Sequence, residues 1–139
     1  MAFTDNQSGC TVIQGTCPAK IELAGTVVVG DSIGYSSGWK RALATAGTAI
    51  GHVCVAGEPG VSGDTITVYF GPCVLAGTRF EGATAGALLY QAEGSANGEY
   101  TETAPTTSSD LATVIGSVLE EGTTYDTIMI TPNLVQVVV

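Results

Sequence analysis

"AIGHVCVAGEPGVSGDTITVYFGP", residues 49–72, is an apolar run that ends in glycine, then a loop, then Asp-Thr-Ile-Thr-Val and a Gly-Pro stop. Sixty-odd residues later, "VIGSVLEEGTTYDTIMITP", residues 114–132, gives the same order: Ile-Gly-x-Val, an acidic Gly loop, Asp-Thr-Ile and Pro. Thr65, Thr67 and Tyr69 alternate with Ile66, Val68 and Phe70, the period-two pattern of a strand with one polar and one apolar face. Pro59-Gly60 marks the turn before it. Residues 126–131 alternate again. Two hairpins of one design in a short chain predict an all-β fold.

The repeat extends outward from these hairpins. Gly30-Asp31-Ser32-Ile33-Gly34-Tyr35 is similar to Gly86-Ala87-Leu88-Leu89-Tyr90, and Ser37-Gly38-Trp39 to Asn97-Gly98-Glu99. Ile50-Gly51 then aligns with Ile115-Gly116, and Asp64-Thr65-Ile66 with Asp126-Thr127-Ile128. Each copy reads as four strands with one apolar face that it cannot cover alone. The expectation is a small β-barrel or sandwich of two related four-strand halves spanning 21–139. Residues 1–20 are polar, lack periodicity and end at Pro18, and they read as an irregular N-terminal arm. Further strands are expected at 21–30 (broken at Gly25), 35–47, 73–81, 86–92 and 111–119. Asn97-Gly98 is a hairpin turn signal.

Composition supports this class. The 139 residues include 19 glycines and are 45% hydrophobic but only 12% charged, which suits short strands joined by tight turns in one domain. Four Lys+Arg against 13 Asp+Glu give a formal net charge of −9. So acidic a chain repels nucleic-acid phosphates and anionic lipid, so neither nucleic acid nor membrane is expected as a partner. "MAFTDNQSGC" shows no basic start followed by an apolar core, which predicts synthesis in a reducing cytosol and a chain that is soluble at least at first.

Cys10, Cys17, Cys54 and Cys73 form no Cys-x-x-Cys, and His52 is the single histidine. No metal site or cofactor is expected. A hairpin turning at Gly60 sets Cys54 and Cys73 on the order of 20 Å apart, too far to bridge. "CTVIQGTC" is able to fold back and join Cys10 to Cys17, but a reducing compartment favours free thiols. The acidic 119–122 loop reads as a solvated hairpin tip rather than a calcium site.

"VVVGDSIGYSSGW", residues 27–39, resembles the Gly-Asp-Ser block of the SGNH hydrolases. That family adds an Asp-x-x-His pair and separate Gly and Asn blocks, which this chain lacks. Ser32 without a base is no nucleophile, and the block is expected to be a turn in which Asp31 and Ser32 bond the local backbone. His52 reads as a core residue. The expectation is a protein that is not an enzyme.

"GALLYQAEGSANGEYTETAPTTSSDLATVIGSVLEEGTTYDTIMITP", residues 86–132, resembles the β-module of small tailed-phage head proteins, and "AGTVVVGDSIGYSSG", residues 24–38, resembles their upstream module. Together these cover about residues 20–132 and point to the capsid decoration, or cement, proteins. The resemblance implies a β-tulip-like fold and a homotrimer on the outer surface of the phage head. Its partners are then the major capsid protein and further copies of itself, after assembly in the host cytoplasm. A tail- or fibre-associated module is the alternative. For shell contact, the candidates are Phe3, Val12 and Ile13 in the arm and the Trp39-Lys40-Arg41 cluster, which joins the only tryptophan to the only basic pair. The apolar C-terminus, with Val135, Val137, Val138 and Val139, is the candidate inter-subunit strand.

Overall fold

The structure is a computed structural model that describes residues 5–94, 96–120, 126–132 and 135–139. It is all-β: two curled antiparallel sheets form a half-barrel or sandwich, with one 3-10 turn at Thr78–Phe80 and no α-helix among the described residues. The strands are β1 (Cys10–Gln14), β2 (Pro18–Glu22), β3 (Ser32–Tyr35), β4 (Trp39–Arg41), β5 (Cys54–Ala56), β6 (Thr65–Tyr69), β7 (Cys73–Gly77), β8 (Leu88–Gln91), β9 (Tyr100–Thr101), β10 (Gly116–Glu120) and β11 (Asp126–Ile130). One sheet runs β2-β6-β5-β3-β4 and the other β1-β7-β11-β10-β8-β9.

Apart from β1, these orders are one order written twice. β2 to β6 and β7 to β11 occupy matching places, so the repeating unit has five strands rather than the expected four. Each unit opens with a strand that pairs with its last, a long-range closure that local turn signals cannot reveal. The backbone bonds repeat as well. Gly30 N donates to Ala56 O at 2.8 Å and Gly86 N to Val118 O at 2.9 Å, while Val53 N donates to Ile33 O at 2.8 Å and Ile115 N to Leu89 O at 2.9 Å. Ser32 faces Val55 as Leu88 faces Ser117, and Val55 faces Tyr69 as Ser117 faces Met129. Gly15, Cys17 and Gly30 correspond to Gly71, Cys73 and Gly86 at one constant spacing.

This pairing corrects the sequence alignment downstream. Val53-Cys54, not Ile50-Gly51, matches Ile115-Gly116, and Ile66-Val68, not Asp64-Ile66, matches Asp126-Ile128. In the first unit Ile50 is held in a tight loop against Leu43, and Asp64 closes a turn by accepting from Val61 N at 3.0 Å. Loop length and hydrogen bonding set the register, and like residues at a loop mouth need not be equivalent. The assumed 49–72 hairpin register shifts too: Val55 opposes Tyr69. The expected second strand at 26–30 is a turn with one isolated bridge, Val27 to Gly60, and a strand begins only at Ser32, as β3.

The units bury two clusters rather than one shared face. Ile21, Leu23, Val27, Ile33, Cys54, Ala56, Ile66 and Val68 form the first unit's cluster, capped by Trp39 and Phe70. The second unit's cluster gathers Leu75, Phe80, Leu89, Tyr100, Ile115, Val118, Ile128 and Ile130, and Val55 and Tyr69 of the first unit pack on it. β5 is thus buried on both faces, with Cys54 and Ala56 inward and Val55 against the other unit.

The irregular arm is also corrected. β1 pairs with β7 and β2 with β6, and Asp5 is buried. Arg79, fully buried, holds Asp5 through Nε to Oδ1 at 2.6 Å and Nη2 to Oδ2 at 3.0 Å, and Asp31 through Nη1 to Oδ1 at 2.9 Å. It also donates to Val29 O at 3.0 Å and Gly98 O at 3.2 Å. Asp5 Oδ2 accepts from Tyr100 N at 3.0 Å, and Asp31 Oδ2 accepts from Arg41 Nε at 2.6 Å. Burial opposes the Arg79 charge, but hydrogen bonding and the Asp5 and Asp31 charges outweigh it and hold its pKa above the ordinary value. Gly98, at φ 80°, closes this knot: a Cβ there would lie 2.9 Å from Arg41 Cγ. Removing one partner of such a buried set strands the others' charge. Arg79→Met and Asp5→Asn are each expected to lower stability by about 3–5 kcal/mol in urea unfolding. Deleting residues 2–17 is expected to do at least as much, because it removes both Asp5 and β1.

Candidate functional site

The Gly-Asp-Ser block is the first place to look for chemistry, because the structure gives Ser32 a histidine. Ser32 Oγ and His52 Nδ1 share a hydrogen bond at 2.5 Å. This corrects two expectations: Ser32 lies in β3 rather than in a turn, and the lone histidine does reach it. The link arises because β3 pairs with β5, which places the 51–53 approach to β5 beside Ser32. Asp31 does bond the local backbone, accepting from Val28 N at 2.9 Å.

The pair is nonetheless sealed. Ser32 and His52 are both 0% exposed, so no substrate reaches the hydroxyl. His52 Nε2, where an orienting carboxylate would sit in a triad, is buried with no hydrogen-bond partner among the described residues. Asp31, the adjacent acid, is bound to Arg79 and Arg41. The geometry supports packing, not nucleophilic attack. Burial pushes the His52 pKa down to about 3. No group of three or more metal-ligating side chains occurs among the described residues.

All four cysteines are free. Cys10 and Cys17 do not fold back on one another, because β1 and β2 join different sheets. Cys54 and Cys73 are buried, and burial raises both thiols to about 12.

What remains is surface. Lys20 is ion-paired to Glu58 at 3.6 Å, Arg41 to Asp31, and Arg79 is buried. Of the four cations, only Lys40 lacks an ion pair among the described residues. Lys40 and Arg41 line a shallow hollow with Gly25, Thr26, Ile50 and Asn97. Trp39 is half-buried, stacked edge-on between Tyr35 at 5.2 Å and Phe70 at 5.8 Å. It packs on its own unit's cluster while keeping one edge in solvent.

The other candidates separate. Val12 packs on the second unit's cluster, whereas its neighbour Ile13 is 60% exposed. Phe3 lies outside the described residues. Val135, Val137, Val138 and Val139 are exposed. Backbone at this end is paired within the chain: Ala112 N donates to Val137 O at 2.8 Å, and Val139 N to Asp110 O at 2.9 Å. Thr113 Oγ1 accepts from Val137 N at 2.9 Å. The tail therefore has one edge satisfied internally and offers its valine side chains outward. Tyr35, Val61 and Leu88 are exposed apolar residues that sequence reasoning did not single out. Alternation alone misses them because each sits on a face whose cover depends on how the two units stack.

Comparison with protein-family models, characterised proteins and solved structures returns no match for this chain.

Two outcomes follow. The folded chain keeps His52 neutral down to about pH 3, whereas the unfolded chain protonates it below its ordinary 6.5. Its contribution is fully present above pH 6.5 and is lost as pH falls toward 3, with a slope of up to about 1.4 kcal/mol per pH unit. The difference in urea stability between wild type and His52→Gln, measured at pH 7, 5.5 and 4.5, is expected to shrink accordingly. Short-chain ester hydrolysis is expected to stay at background in wild type and in Ser32→Ala alike, in a chromogenic assay.

Proposed function

We propose that this chain is a non-enzymatic decoration protein of a tailed-phage head. On this reading it seats as a homotrimer on the outer surface of the capsid, contacts the major capsid protein and ties neighbouring capsomers together. The observation that carries the reading is the charge arrangement. With a net charge of −9 and three of its four cations held in ion pairs, the charge that the molecule presents is predominantly negative. Such a surface belongs on the far side of a shell from packaged DNA and has no affinity for it. The burial of Ser32 and His52 supports the non-enzymatic reading. The resemblance of residues 20–132 to head decoration modules supplies the location.

Shell contact falls to what stays outward: Ile13 on the edge strand β1, and the hollow lined by Lys40, the cation without an ion pair among the described residues. An acidic protein with one such cation in an open hollow has a natural point of recognition there for an acidic partner. The tail or fibre reading keeps the same fold and differs only in the particle bound.

Co-sedimentation with empty expanded heads is the test. Saturable binding and a raised disruption temperature of the heads are expected, with Lys40→Glu weakening binding about tenfold or more and leaving the fold unchanged. Binding to purified tails in place of heads supports the alternative module.

A further inference from the structure

Residues 5–14 reach their place through a strained junction. β1 lies on β7 in one sheet, whereas β2, after a three-residue link, lies on β6 in the other. The link is Gly15-Thr16-Cys17, and Cys17 holds φ 52°, a region that residues other than glycine rarely adopt. The duplication supplies the comparison. Gly71-Pro72-Cys73 is the equivalent junction, leading from β6 in one sheet to β7 in the other, and Cys73 is not among the described residues with positive φ. Of the two junctions, only the one that carries the N-terminal segment is strained at its cysteine.

What the segment binds does not depend on that junction. Cys10, Thr11 and Val12 pair with Gly77, Ala76 and Leu75. Asp5 accepts two bonds from Arg79 and one from Tyr100 N. Gln7 Nε2 donates to Asn97 O at 2.8 Å and to Asp31 Oδ1 at 3.2 Å. None of these partners lies in 15–22, so a second copy presents the identical site. That site must be filled, because without Asp5 the buried Arg79 guanidinium loses two charge-assisted bonds. The occupant that fits is residues 5–14 of this sequence, from the same chain or from another.

We propose that copies of this chain exchange that segment. A return of Cys17 to negative φ turns everything before it about the N–Cα bond and takes β1 off its own β7. In the exchanged form β1 pairs with β7 of the next copy, and its Asp5 fills the next copy's Arg79 site. The strain at Cys17 is relieved, and every bond of the segment is remade in kind. Giving a segment and receiving one use different surfaces, so the contact is heterologous and closes into a ring where the rotation between copies allows. The inference rests on the homotrimer reading above and names the element that holds the trimer together. It places the self-contact on the N-terminal segment rather than on the C-terminal valines, whose backbone is already paired with residues 109–113.

Thr11 and Ala76 stand opposite one another across the β1–β7 ladder, where Cα atoms are about 4.5–5.5 Å apart and a disulfide is able to form. The test places Thr11→Cys and Ala76→Cys in one chain, with Cys17→Ser to remove the exposed native thiol. The protein is oxidised and run on a denaturing gel without reductant, beside light scattering of the native sample. Exchange is expected to give a covalent trimer, about three times the mass of the single chain. A cross-linked single chain from material that light scattering shows to be oligomeric overturns the exchange and leaves the trimer standing. A covalent dimer keeps the exchange and overturns the trimer. A second sample covers a double variant that does not fold: chains with Thr11→Cys and chains with Ala76→Cys, each with Cys17→Ser, are unfolded together, refolded and oxidised. A covalent pair of the two is expected, and its absence from oligomeric material overturns the proposal. A monomeric wild type overturns both the exchange and the trimer. Head co-sedimentation of wild type then decides separately whether the decoration reading stands.

Discussion

A buried guanidinium fixes this molecule. Arg79 lies just beyond β7, inside the protein, and makes hydrogen bonds or ion pairs to the N-terminal segment at Asp5, to the first unit at Val29 and Asp31, and to the second at Gly98. Phe80 and Tyr100 flank it at 5.6 and 5.7 Å from guanidinium carbon to ring centre. Tyr100 in turn donates its hydroxyl to Gly30 O at 2.8 Å. Two β-units of similar design could slide over one another on apolar contacts alone, since such contacts have little direction. A cation with a fixed fork of donors has no such freedom, and it sets one arrangement of three distant segments. A buried ion set is weak as a source of stability against an apolar alternative but strong against any rearrangement that separates its members.

Much of the architecture was legible from the sequence, for a physical reason. Alternation of Thr65, Thr67 and Tyr69 with Ile66, Val68 and Phe70 records which face of β6 is buried, and Gly-rich turns record where the chain reverses. The duplication was legible through Gly30 and Gly86. Its register was not, because the loop around Leu43–Ile50 and the bulge between Val118 and Glu120 shift residues without altering the pattern. The opening strand of the first unit escaped for another reason: β2 lies at the sheet edge with mostly exposed side chains and alternates only weakly, whereas its counterpart β7 falls within the expected 73–81 strand. Arg79 carries no local mark at all. Nothing in "GTRFEG" distinguishes a buried arginine from a surface one, since its partners lie tens of residues away in sequence.

The candidate site shows the same division. Residue types were enough to notice Ser32, His52 and the Trp39-Lys40-Arg41 cluster, but not to say which of them faces solvent. Ser32 met its histidine through strand pairing across twenty residues, and the same pairing buried both. Arg41, half of the only basic pair, turned inward to Asp31, which leaves its sequence neighbour Lys40 to represent positive charge at that hollow. Function in such a protein depends on accessibility as much as on chemistry, and accessibility is decided by how sheets stack.

The cysteines show what the duplication does when its two copies diverge in environment. Cys17 and Cys73 hold equivalent places in the two units, yet Cys73 is buried with a thiol raised to about 12 while Cys17 is exposed at the start of β2. Cys10 and Cys54 are also partly or wholly covered, and burial raises them to about 11 and 12. Cys54 and Cys73 are shielded, and burial holds all three in the protonated form near neutral pH, which slows alkylation. The native chain thus carries one fully exposed thiol, Cys17. A maleimide dye or a heavy-atom cluster attached there reports on the first unit alone, and marks the orientation of each copy in an assembly without any engineered residue.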